Sequence, residues 1–314
     1  MIANKEKKFV SAVIYIHNAE KRVEDFLRMV IGALETNFEH SEIICVNDYS
    51  NDQSVNIIKK ISDETKTTCV SILNMSHFHG LEVAMNAGVN LAIGDYVFEF
   101  DTVIKDYEDD MIMKVYERCL EGYDVVSASP HHKTSAFSKF FYRVFMRYSD
   151  THCIMNTENF RILSRRIINR TEAMNTSVVY RKVLYVGSGL KTDCIKYDPT
   201  NSIKYITDSK EKKYRSSLAM DSLILFTQIG YRFSIAMTFL MILVAVGMIG
   251  YTVFIYCTAK PVEGWTTTVL FLATAFFGLF GIMTVVIKYL QLIIKMVFNR
   301  SHFSFESIEK LSKR

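Results

Sequence analysis

Two long uncharged stretches near the C-terminus, Phe233–Tyr256 and Trp265–Ile287, constrain this chain more than any other feature. Each holds more than twenty apolar or weakly polar residues. At about 1.5 Å rise per residue, that is enough to cross a hydrocarbon core roughly 30 Å thick. A turn-like segment, Cys257–Gly264, separates them, so the pair is predicted to be a transmembrane hairpin. A buried core helix would be shorter and would carry a polar face. The residues ahead of the hairpin are patterned like a soluble α/β domain. A soluble domain held at a bilayer suggests a water-soluble substrate meeting a lipid one.

The net charge of +4 is modest and gives no support for nucleic-acid binding. Its distribution says more. Lys288, Lys295, Arg300, Lys310, Lys313 and Arg314 follow the second stretch, and Lys210, Lys212, Lys213, Arg215 and Arg232 precede the first. The connecting loop has only Lys260 and Glu263. By the positive-inside rule both flanks are cytoplasmic. Met1–Lys8 is basic without an apolar run, so no signal peptide is expected. The six cysteines are scattered without CxxC spacing and read as free thiols in a reducing compartment. His77, His79, His131 and His132 lack a carboxylate partner at fixed spacing, which argues against a metal site built on them.

Along the first hundred residues, short apolar runs alternate with helical patterns. Phe9–Ile16, Glu42–Val46, Val70–Leu73 and Gly94–Asp101 read as strands. Val23, Phe26, Leu27, Val30, Ile31 and Leu34 recur at helical spacing, and helices are also predicted after Asp52 and over Gly80–Ala92. This order predicts a mostly parallel sheet with right-handed crossovers. Ligands then bind beyond the carboxyl ends of the strands, where Asn18, Asp48 and Asp101 fall. Tyr123–Val126 adds one more strand. Lys133–Arg147 is basic and aromatic, and Lys191–Lys213 is polar and poorly periodic. Ser216–Tyr231 is apolar at helical spacing and reads either as an interfacial helix on the membrane or as a linker helix packed on the domain.

The order of motifs resembles glycosyltransferase family 2, in its polyprenyl-phosphate glycosyltransferase branch, which includes dolichyl-phosphate mannose synthases and bactoprenol glucosyltransferases. Val13–Asn18 resembles the family's VIPVYN, Val46–Asp52 its VDDGSTD, and Gly80–Gly88, with Asn86, its GxxxAxNxG. Gly94–Asp106 resembles the strand and DxD-containing DADLQDP, Asn159–Arg161 resembles GDFRL, Asp208–Lys210 resembles GESK, and Val262–Trp265 resembles VPGW. The resemblance implies a GT-A-type fold, a nucleotide-sugar donor, a polyprenyl-phosphate acceptor in the membrane, and a homo-oligomer. Gly247, Gly250, Gly278 and Gly281 are the small residues in the spans.

The departures bear on chemistry. The family holds Mg²⁺ or Mn²⁺ through the DxD aspartates and a nearby glutamine. Here the register reads Asp101, Val103 and Lys105. Valine offers no oxygen ligand and lysine repels a cation. Either the Lys105 ammonium takes the metal's place against the donor diphosphate, oriented by Asp101 or Asp106, or the site is silent and the chain is a partner subunit. Asn47 replaces the first aspartate of the DD pair, leaving Asp48 for the nucleotide.

Expected donor-binding residues are therefore Asn18, Asp48, Asn86 and Asp101, and expected catalytic residues are Asp101, Lys105, Asp106 and Arg161. Arg161 is expected to meet the acceptor phosphate, and Lys210 and Arg215 to lie near phosphate or lipid. The expected organisation is a GT-A-type domain over 1–215, a juxtamembrane helix over 216–232, the hairpin over 233–287 and a basic cytoplasmic tail over 288–314. The expected reaction is transfer of a sugar to polyprenyl phosphate with inversion at the cytoplasmic face of the membrane. Extension of a lipid-linked capsule or O-antigen glycan is the alternative.

Overall fold

The computed structural model describes residues 5–65, 67–131, 158–173, 180–200, 264–298 and 305–311, with scattered helical positions between 236 and 247. The chain divides into two compact units, one of 1–146, 151–218 and 300–314, the other of 147–150 and 219–299.

The first unit is an α/β domain. In chain order its elements are β1 (Val10–Ile16), α1 (Val23–Asn37), β2 (Ser41–Asn47), α2 (Ser54–Ser62), β3 (Cys69–Met75), α3 (Leu81–Leu91), β4 (Tyr96–Phe100), α4 (Met111–Leu120), β5 (Val125–Pro130), β6 (Phe160–Ser164), α5 (Arg165–Ala173), α6 (Arg181–Gly187) and β7 (Thr192–Tyr197). A last strand, β8 (Phe305–Lys310), comes from the far end of the chain. The sheet runs β7-β5-β6-β4-β1-β2-β3-β8. β1 pairs in parallel with β2 and β4, β2 with β3, and β5 with β7. β6 is antiparallel to β4 and β5, and β8 is antiparallel to β3.

The apolar run of β1, interrupted only by Ser11, follows from burial on both faces. Val10, Ala12, Ile14 and Ile16 join a core with Phe26, Val30 and Leu34 of α1, while Val13 and Tyr15 join Ala84 and Met85 of α3 on the other face. α3 lies close enough on β1 and β2 that a Cβ at Gly88 would sit 2.5 Å from methyls of Val13 and Val46. That approach needs glycine.

Three strands were not legible in the sequence. β6 begins within the Asn159–Arg161 motif, which was given no secondary structure, and β7 lies within the poorly periodic Lys191–Lys213 segment. β8 lies within 288–314, the expected basic tail, and instead forms part of the sheet. β7 and β8 are edge strands with one partner each, so their alternation is weak and only pairing defines them.

In the second unit, α7 (Trp265–Phe298) carries the second uncharged stretch and runs past its expected end at Ile287. A Cβ on Gly278 would collide with the Met241 side chain, and one on Gly281 would lie 3.8 Å from Met237. The glycines therefore accept methionines spaced four apart on the preceding helical segment, in antiparallel order. Counting only the described residues, no helix is long and apolar enough to cross a membrane, so the membrane expectation rests on the sequence of this unit. Most of Phe233–Tyr256, the loop Cys257–Glu263 and the 216–232 segment lie outside the described residues.

Candidate active site

The parallel strands β2, β1 and β4 end on one edge of the sheet, and the order β3-β2-β1-β4 reverses at β1. Chains wound this way open a crevice at such a reversal, outside the carboxyl ends. Asn18 follows β1, Asp48 follows β2 and Asp101 follows β4.

Asn18 and Tyr49 both adopt left-handed backbone, with φ of 47° and 58°. Asparagine tolerates that region well, and Asn18 uses it to tie two loops together. Its side-chain oxygen accepts the Asn51 N–H at 2.9 Å, and its own N–H donates to Ser50 Oγ at 3.1 Å. His17 Nδ1 lies 2.6 Å from the Asp48 carbonyl. A carbonyl only accepts, so Nδ1 carries the proton and Nε2 accepts from Asn18 Nδ2 at 3.2 Å. The Phe78 ring lies 4.9 Å from that of His17, and Tyr49 projects outward, 49% exposed.

Asp48 is wholly buried. Tyr15 OH donates to Oδ2 at 2.9 Å, the Gly80 N–H to Oδ2 at 2.8 Å and the His79 N–H to Oδ1 at 2.8 Å. Gly80, at φ 83° and ψ 162°, holds a conformation open only to glycine. The carboxylate expected to meet the nucleotide thus organises the turn into α3. Asn86 lies half-buried on α3.

Around Asp101 the charges close into a ring. Glu99 on β4 faces Arg161, its register partner on β6. Arg161 Nη1 is 3.1 Å from Glu99 Oε2, and its Nη2 donates to Asp101 Oδ2. Arg181, at the start of α6, donates through Nη1 to Glu99 Oε1 and through Nη2 to Asp101 Oδ1 at 2.7 Å. Each carboxylate therefore bridges both guanidiniums. Glu82 of α3 accepts the Arg181 Nε–H at 2.9 Å and its backbone N–H at 3.0 Å. Glu158 lies 3.2 Å from Arg161 and 3.6 Å from Lys182, and Tyr185 OH donates to Glu99 at 2.8 Å. Both arginines are 1% exposed.

The titration shifts follow from this enclosure. Burial alone would raise the Asp101 pKa, but the Arg161 and Arg181 guanidiniums outweigh it and hold the carboxyl at about 2. Burial opposes the charge on each arginine, yet the surrounding carboxylates raise both above the ordinary guanidinium value. Burial, then Glu99, pushes the Tyr185 phenol well up.

The remaining expected residues separate. Asp106, 2% exposed, accepts from Asn159 Nδ2 at 2.8 and 2.9 Å and from Tyr197 OH at 2.8 Å, which ties the loop after β4 to β6 and β7. Lys105 is exposed and pairs with Asp109 at 2.8 Å. Lys210, Arg215 and His132 lie outside the described residues. Arg161, offered by the sequence to an acceptor phosphate, is enclosed in the ion cluster. Glu82, Glu99 and Arg181 were missed. The signal was Glu99, a lone charge in the buried run Tyr96–Phe100, which requires a buried counter-ion.

Comparison with known proteins fixes the family. Residues 11–183, more than half of the chain, match Glycosyl transferase family 2. The chain belongs to glycosyltransferase family 2. An uncharacterised glycosyltransferase from Synechocystis sp. is 27% identical over 196 residues, 60% of each chain. The prophage bactoprenol glucosyl transferase homolog of Escherichia coli is 25% identical over 194 residues, covering 60% of this chain and 62% of that protein. The undecaprenyl-phosphate 4-deoxy-4-formamido-L-arabinose transferase of Edwardsiella ictaluri is 30% identical over 119 residues, 38% of this chain and 36% of that one. In the first two comparisons the chain spans about three fifths of the relative's length. The α/β unit with its mostly parallel sheet is GT-A-like, as the motif order implied.

The divalent cation associated with family 2 DxD motifs does not fit this donor set. Val103 is 6% exposed and packs in the core with Phe98, Phe100 and Phe160. Both Asp101 oxygens already accept from guanidiniums. Among the described residues no group of three or more His, Cys, Asp and Glu is arranged to hold a metal ion.

Proposed function

We propose that this family 2 glycosyltransferase moves a sugar from a nucleoside-diphosphate donor to polyprenyl phosphate at the cytoplasmic face of a membrane. The observation that carries the reading is the strand-order reversal between β1 and β4 in a family 2 domain, with Asn18, Asp48 and Asp101 at the strand ends. The same chain also carries long uncharged stretches suited to a bilayer. The names of the relatives from Escherichia coli and Edwardsiella ictaluri point to the same acceptor class. His17, Phe78 and Tyr49 supply apolar ring faces at the edge where a nucleobase would stack.

Membrane attachment is supported by three features. Trp265–Ile287 carries no charge. Leu272, Phe276, Leu279, Met283, Ile287 and Leu290 of α7 are each about half exposed, a contiguous apolar face of the kind that water disfavours. β8, which follows α7, pairs with β3, so the chain leaves the globular unit and returns to it. A hairpin satisfies that; a single crossing would not.

In the reaction a phosphate oxygen of the acceptor attacks the anomeric carbon. The bond from that carbon to the donor diphosphate breaks, and the nucleoside diphosphate leaves with inversion. The acceptor phosphate is already ionised near neutral pH, so no general base is required. Lys105 is the residue assigned to the leaving diphosphate. Its pair with Asp109 is solvent-exposed, with side chains 44% and 67% accessible. Such pairs contribute about 0–1 kcal/mol, so the ammonium is readily redirected. Asp101 holds the arginines rather than a cation.

A second reading, a catalytically silent partner subunit, is favoured by that same closed ring. Transfer assays with the full chain in nanodiscs, using UDP- and GDP-sugars and polyprenyl phosphate, separate the two. Lys105→Gln should lower kcat by about a hundredfold, the usual scale for losing one charge-stabilising donor, with folding unchanged. No turnover with any donor, together with no binding of UDP or GDP, would establish the partner reading instead.

A further inference from the structure

A row of polar side chains crosses the sheet from the C-terminal strand to the loop that carries Asp48. Asn47 on β2 is the register partner of Asn74 on β3, and Asn74 is the register partner of Ser307 on β8. Asn74 Nδ2 donates to Ser307 Oγ at 3.1 Å and to Glu309 Oε1 at 3.3 Å. Asn47 Nδ2 donates to Asn74 Oδ1 at 2.9 Å. Asn47 Oδ1 in turn accepts the Ser50 N–H at 3.1 Å, and Ser50 Oγ accepts the Asn18 N–H.

The row has a direction. An ionised carboxylate can only accept, so Glu309 draws the NH₂ of Asn74 towards β8 and turns its oxygen towards Asn47. Asn47 must then donate to Asn74, which leaves its own oxygen for Ser50. Glu309 is itself steadied by Lys59 of α2. The Ser50 N–H, which can only donate, demands the same orientation from the other end, so the β8 acceptors and the loop amide agree on one arrangement. Loss of the β8 acceptors leaves the Asn74 NH₂ without the partners that hold it. Asn47 is 7% exposed, so an inverted amide would leave the Ser50 N–H facing a donor.

We infer that Asn74, with Ser307 and Glu309, positions the 47–52 loop for the donor, so that docking of the strand after the membrane segment and donor binding are coupled. This rests on the donor reading of that loop. Nothing in the row touches reacting atoms, so all three are positioning residues.

The test uses the full chain in nanodiscs. Asn74→Ala and the double variant Ser307→Ala/Glu309→Ala are compared with Ile308→Thr, which alters an exposed side chain of the same strand. Hydrogen exchange at the Ser50 and Asn51 amides should quicken by about three- to tenfold in the first two, the scale of one lost hydrogen bond. Donor KM should rise by a similar factor with kcat unchanged, and Ile308→Thr should leave both alone. Unchanged exchange at Ser50 and Asn51 in both relay variants would overturn the inference. Quickened exchange in a protein that binds neither UDP nor GDP would keep the relay and overturn the donor reading on which its purpose depends.

Discussion

Arg181→Ala should destabilise the globular unit by about 3–5 kcal/mol, the range for removing one member of a buried ion pair. Arg181 holds three carboxylates, Glu82, Glu99 and Asp101, and is 1% exposed. Its loss leaves Glu99 and Asp101 sharing Arg161 alone and leaves Glu82 with no ion-pair partner among the described residues. The uncompensated charge, more than the lost contacts, sets the size of the effect. Urea denaturation followed by tryptophan-independent probes such as far-UV dichroism should show it, with Lys105→Ala as the exposed control shifting stability by no more than about 0.5 kcal/mol. Equal, small effects of the two variants would mean that the ring is not closed in solution.

Acid should weaken the same cluster. The folded-state pKa of Asp101, about 2, lies below its reference value of 3.8. The stabilisation is therefore complete above pH ~4 and is lost as pH falls through the window down to about 2. Its full size is about 2 kcal/mol, from the shift and the energy of one pKa unit. Asp101→Asn should be less stable at neutral pH and should show a flatter fall between those limits. A wild-type stability that does not change between pH 5 and pH 2 would contradict the assignment.

How much was legible in the sequence depended on which contacts each feature needs. β1, β2 and β4 showed themselves through apolar runs because both faces of each are buried. Their carboxyl ends followed at once, and with them Asn18, Asp48 and Asp101. The partners of those residues did not follow. Asp48 is held by the backbone of His79 and Gly80, and Asp101 by arginines eighty and sixty residues away along the chain. Arg161 was read as a ligand-binding residue because its motif position was visible and Glu99, its cross-strand neighbour, was not recognised as one. Val103 and Lys105 were read from the sequence as departures from an oxygen donor set. The sequence could not say that Val103 packs in the core, where its side chain offers no oxygen to a cation. β8 was hidden by its distance: Ser307 meets Asn74 across 233 positions, and no local pattern reports such a pairing.

The central proposal is that this family 2 site handles its donor with Lys105 and without a divalent cation. Titration calorimetry of UDP and GDP into the full chain, in Mn²⁺ and in EDTA, tests it most directly. The account predicts nucleotide binding of equal affinity in both, weakened in Lys105→Gln. Binding that vanishes in EDTA and returns with Mn²⁺ would contradict it and would require Asp101 to leave its arginines for the metal.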